Sequence, residues 1–105
     1  MKPILIYSTF PDQQTAQNIA AVVIKGKLAA CANIFPAHQS LYEWEGEIKN
    51  DTEVAVIFKS TDEKFAALKT VILDKHPYDT PCIVVLPITD GHSPFLEWVS
   101  QQTSA

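Results

Sequence analysis

The chain has 105 residues, 47% of them apolar and 19% charged, with a net charge of −4. That length points to one domain spanning residues 1–105 with a single core, and the apolar content excludes disorder of the whole chain. All eight basic residues are lysines, and an acidic surface without arginine argues against a nucleic-acid partner.

No lysine cluster is present to hold an anionic membrane. The longest apolar runs, Ile4 to Tyr7, Val54 to Phe58 and Cys82 to Leu86, fall far short of the ~20 residues that a membrane span needs. Met1-Lys2-Pro3 leads straight into a short apolar run rather than a secretory-type stretch, so a cytoplasmic location is expected. In that compartment Cys31 and Cys82 are expected to be free thiols.

Ile4 to Thr9 reads as a strand that is apolar on both faces, hence central in a sheet. Pro11 and Asp12 announce a helix whose inner face carries Ala16, Ile19, Ala20 and Val23, and Gly26 is expected to close it in the left-handed conformation. An extended region follows from Leu28 to Ile48, broken at Pro36. Alternation along it puts Tyr42, Trp44 and Ile48 on one face and Glu43, Glu45 and Glu47 on the other. Asn50-Asp51 supplies turn chemistry for a long hairpin whose second strand runs from Glu53 to Lys59.

Ser60 and Glu63 have the spacing of a capping box, ahead of a helix with Phe65, Leu68, Val71 and Ile72 on one face. Pro77 ends that helix near His76. Cys82 to Ile88 is predicted as an edge strand bracketed by prolines, and Ser93-Pro94 as the cap of a final helix.

The order β-α-β-β-α-β plus a terminal helix defines an α+β, ferredoxin-like fold with an antiparallel sheet, the first and third strands in its middle. Two features strain a monomer. The last strand is as apolar as a central one, and Tyr42 and Trp44 extend past what two helices can cover. Self-association would cover both.

Four strings carry a resemblance: KLAACANI from Lys27, LYEWEGEI from Leu41, HPYDTP from His76 and LPITDG from Leu86. In this order they resemble the CutA divalent-cation tolerance family over nearly the whole chain. The resemblance implies a non-enzymatic homotrimer in which hairpins and edge strands of neighbouring subunits pair. It also implies binding of Cu2+ or another divalent cation without an organic cofactor, and an architecture similar to the P-II signal proteins. In copper-binding members the ligands are a cysteine at the position of Ser8 and histidines at Lys75 and His76. Only His76 matches, and hydroxyl and ammonium groups are poor copper ligands.

Two readings attach to each candidate residue. His76 is a metal ligand, or a cation capping the last carbonyls of its helix. Cys82 is the softest donor near it in sequence. The row Glu43, Glu45, Glu47 is a hard-cation site or a solvated face. Tyr42, Trp44, Tyr78 and Trp98 line a binding cleft or fill a subunit interface. Lys59 is an anion-binding group at such a cleft or a solvent-facing strand end, and Cys31 belongs to the core. His38 and His92 read as solvent-exposed bystanders.

No nucleophile elbow, phosphate loop or paired catalytic carboxylates occur, and acylphosphatases, which share the fold, cradle phosphate with an arginine. The first function expected is therefore a trimeric divalent-cation tolerance protein. The alternatives are a P-II-like sensor of a small metabolite bound between subunits, or a structural trimer that docks a partner.

Overall fold

The computed structural model describes residues 1–104. Its elements are β1 (Pro3–Phe10), α1 (Gln13–Lys25), β2 (Cys31–Ile34), β3 (His38–Trp44), β4 (Glu47–Thr61), α2 (Phe65–Lys75), β5 (Ile83–Pro87) and α3 (Ser93–Gln102), with a single 3-10 turn, Asp62–Lys64, before α2. The strands make an antiparallel sheet in the order β2-β4-β1-β5, and β3 pairs with the outer part of β4. The two central strands are therefore the first and the long second strand of the hairpin, as the sequence predicts. β5 is an edge.

Alternation decides what each strand buries. Ile4, Ile6, Ser8 and Phe10 of β1 pair across the sheet with Ser60, Phe58, Val56 and Val54 of β4. Their side chains share the face that α1 and α2 cover with Ala16, Ile19, Ala20, Val23, Leu68 and Ile72. On the opposite face α3 lies against β4 and β1, burying Val99 and Thr103. Lys59, which points that way, lies 5.3 Å from the centroid of the Phe95 ring.

The ends of the elements correct several expectations. The left-handed residue after α1 is Lys27 (φ 58), while Gly26 keeps φ −79. Leu28 N donates to Val23 O and Lys27 N to Ile24 O, so the Schellman closure forms one residue later than expected. The Ser60–Glu63 capping box does not form. Ser60 is still inside β4, fully buried, and its hydroxyl donates to Leu28 O at 2.6 Å. Ser93 is likewise not a cap: it is already helical, and His92 precedes it without a side-chain hydrogen bond. Asp12 does cap α1, accepting from Thr15 N at 2.7 Å.

The largest correction concerns the hairpin. Its turn is Glu45-Gly46, not Asn50-Asp51. Both turn residues have positive φ (52 and 80), and Trp44 pairs with Glu47 across a two-residue loop. Positive φ at both central positions gives the type I′ geometry that matches strand twist. The residues opposite Tyr42 and Trp44 are thus Lys49 and Glu47, whereas Ile48 lies opposite Glu43. Directly paired residues share a face. Ile48 therefore leaves the Tyr42–Trp44 face, and the three glutamates do not share one: Glu43 is on one side, Glu47 on the other and Glu45 in the turn.

Candidate functional site

Toward its start from Val54, β4 leaves β1 behind and, among the described residues, pairs with β3 alone. Where it does so a groove of about 470 Å³ opens, lined by Thr9, Tyr42, Trp44, Asp51, Glu53, Tyr78, Asp79, Thr80 and Cys82. One wall is the inner face of the hairpin. The other is the connection from α2 to β5.

His76 fastens that second wall to the sheet. Its Nε2 donates to Thr9 O at 2.7 Å, and its Nδ1 accepts from Tyr78 N at 3.1 Å. The ring stacks on Phe10 with centroids 5.0 Å apart and meets the Tyr78 ring at 4.6 Å. This pattern defines a neutral imidazole with both nitrogens engaged. His76 therefore does not cap the helix carbonyls as a cation; its partners lie on β1 and in the loop.

Two phenol–carboxylate bonds line the groove, one within the hairpin and one joining the α2–β5 connection to it. Tyr42 donates to Asp51, and Tyr78 donates to Glu53 at 3.1 Å. Burial, then the hydrogen bond and charge of Glu53, push the Tyr78 phenol up to about 12. The hydrogen bond to Asp51 raises Tyr42, and burial followed by the Glu53 charge raises the Cys82 thiol. Each shift that a neighbouring charge contributes has the sign of a negative potential.

Of the residues singled out in the sequence, Tyr42, Trp44, Tyr78 and Cys82 come together in this groove. Lys59 and Trp98 do not. They meet Phe95 on α3, Trp98 with ring centroids 5.7 Å apart, and Trp98 also edges a shallow apolar furrow between α1 and β2 that includes Cys31. Ser8 is fully buried, its hydroxyl donating to Cys82 O at 2.6 Å, while Lys75 is exposed at the end of α2. His38 is half-buried with its ring at 3.2 Å from Ser40 Oγ, and His92 is exposed.

The residues at the expected copper positions thus do not fit that ion: one is a buried hydroxyl, one an ammonium and one an imidazole with no free nitrogen. The carboxylates of Asp51, Glu53 and Asp79 were missed as site residues. With the turn placed at Glu45-Gly46, the register would have put Asp51 and Glu53 on the Tyr42 face.

A split β-α-β sheet with a projecting β-hairpin is the architecture of an α+β, ferredoxin-like protein. Residues 4–102 match the family described as CutA1 divalent ion tolerance protein, and the chain belongs to that family. A "Divalent-cation tolerance protein CutA" of Yersinia pestis is 44% identical over 97 residues, covering 92% of this chain and 82% of that protein. Among solved structures, CutA1 of Ehrlichia chaffeensis matches with a TM-score of 0.94 at 40% identity, covering 100% of this chain and 99% of the other. CutA1 of Oryza sativa matches with a TM-score of 0.96 at 36% identity, covering 99% and 95%. The periplasmic divalent cation tolerance protein CutA of Archaeoglobus fulgidus matches with a TM-score of 0.94 at 40% identity, covering 97% and 99%.

Proposed function

We propose that this chain serves divalent-cation tolerance in the cytoplasm as a non-enzymatic homotrimer. The observation that carries the assembly is apolar surface placed where strands lack neighbours. Val84, Val85 and Leu86 of the edge strand are 40–47% exposed, and Leu41 and Ile48 of the hairpin are 71% and 67% exposed. Such an edge pairs with another chain unless something covers it, and a second and third copy do so.

Divalent-metal binding, Cu2+ included, belongs to this reading in a weak and exchangeable form. The donors within reach of solvent are the Cys82 thiol and the carboxylates of the groove, since His76 and Ser8 are engaged inside the chain. Light scattering coupled to gel filtration tests the assembly: three chains per particle is the expected mass, and a monomer at micromolar concentration overturns it. Titration with Cu2+ against glycine as competitor tests the metal. Weak, non-saturating heat is expected, and a defined sub-micromolar site would refute the exchangeable reading.

The groove favours a second reading, a sensor of a small molecule, because its aromatic walls and convergent polar groups are the ordinary makings of a ligand site.

A further inference from the structure

The residues that line the groove carry charge of one sign only. Asp51, Glu53 and Asp79 supply carboxylates, and the lining includes no lysine or histidine. Lys49, the cation on the same hairpin face, is paired with Glu47 at 3.1 Å. An organic anion or a nucleotide entering here meets like charge and no counter-cation, for Lys59 lies against Phe95 instead.

A compact metal ion finds no closed donor set here, only weak and exchangeable contacts. Asp51 and Glu53 are alternate residues of β4, so they leave the same face about 7 Å apart along the strand. Among the described residues no three His, Cys, Asp or Glu side chains converge closely enough to hold a metal ion. The phenols of Tyr42 and Tyr78 each donate to one of these carboxylates, and the two rings line the groove together with Trp44. Dispersed negative charge beside flat apolar surface matches a cation whose charges are spaced along a hydrocarbon chain.

We propose that the groove binds an aliphatic diamine or polyamine, with ammonium groups on Asp51 and Glu53 and the methylene chain against Trp44, Tyr42 and Tyr78. Ammonium donors on carboxylates make charge-assisted hydrogen bonds, each carboxylate having acceptor capacity left after its tyrosine. The aromatic rings take the methylenes and add cation–π attraction at their faces. The inference rests on the reading of the groove as a small-molecule site, and it names the chemistry of the ligand.

The test is calorimetric titration of the full chain with putrescine and, separately, with ATP at matched ionic strength. Saturable putrescine binding is expected, weakened about ten-fold in Asp51→Asn or Glu53→Gln and about three-fold in Trp44→Leu. Glu97→Gln, exposed on α3, should leave it unchanged. Equal putrescine affinity in wild type, Asp51→Asn and Glu53→Gln overturns the proposal, as does no saturable binding in the millimolar range. Binding of ATP without putrescine overturns the diamine assignment while keeping a small-molecule site. Binding of neither removes both.

Discussion

His76 shows how a side chain that the sequence offers as a metal ligand can be engaged wholly inside the chain. Its two nitrogens join the end of β1 to the loop that carries Tyr78, and its ring stacks on Phe10 and meets Tyr78 at a tilt. Removing it orphans Thr9 O and Tyr78 N and takes away both ring contacts. His76→Ala should therefore cost roughly 2–4 kcal/mol in denaturant unfolding, while Cu2+ affinity stays as it was. A ten-fold loss of copper affinity in that variant would restore His76 as a ligand. A chelator should leave the melting temperature unchanged, because Ser8 and His76 are satisfied by the chain itself. Tyr78 offers a pH test. Its folded pKa, about 12, lies above the ordinary value of 10.0, so its contribution to stability is complete below about pH 10 and is lost as pH rises through about 12. Phenolate absorbance should reveal a late-titrating tyrosine in wild type, and Glu53→Gln should bring it down. An unaltered titration in that variant would show that Glu53 does not act on the phenol.

At the level of elements, the hairpin and the α2–β5 connection matter most, because the groove lies between them. The hairpin's register depends on a turn with two left-handed residues, one of which is a glutamate. Gly46 has φ +80 and open space around the position of a Cβ, so substitution there meets backbone strain alone. Gly46→Val should cost about 1–2 kcal/mol and loosen the outer hairpin, seen as faster amide exchange from Tyr42 to Asp51. Unchanged exchange would mean that β3 and β4 hold their register without the turn. By contrast Leu68→Ala, on the buried face of α2, should cost about 2–5 kcal/mol across the whole molecule. That residue bridges α2 to the sheet, so equal protection loss in β1 and β4 is the expected signature.

For the molecule as a whole, shape and surface point the same way. The radius of gyration is 14.4 Å and the longest extent 45 Å, against about 13 Å for the radius of a compact chain this long. The excess is the hairpin, which reaches past the sheet with Leu41 and Ile48 exposed on the face away from the groove. A projecting apolar arm and an apolar edge on one chain are complementary needs, and the proposed ring of copies would meet both. Val85→Glu on β5 should shift the particle toward monomer in gel filtration, since a charge on a shared edge repels its neighbour's strand. An unchanged elution volume would place the assembly contacts elsewhere.

The sequence by itself determined what depends on local pattern. Continuous apolar runs and the element order identified the central strands, and period-3.6 spacing the inner faces of both long helices: Ala16, Ile19, Ala20, Val23, Leu68 and Ile72 are buried, with Phe65 and Val71 partly buried against them. Proline at 77 stopped α2 at its cap, His76. Family strings announced the fold over most of the chain. What the tertiary structure decided depends on register and on partners distant in sequence. The turn at Glu45-Gly46 was hidden because a glutamate rarely takes positive φ. Drawn too late, at Asn50-Asp51, it put Glu47, Ile48 and Lys49 on the wrong faces and Asp51 in the turn, which concealed Asp51 as the partner of Tyr42. His76 and Thr9 are 67 residues apart in sequence, and only the docking of α2 beside β1 gives each its hydrogen bond. A groove of this kind is made by non-local geometry, and composition carries no record of it.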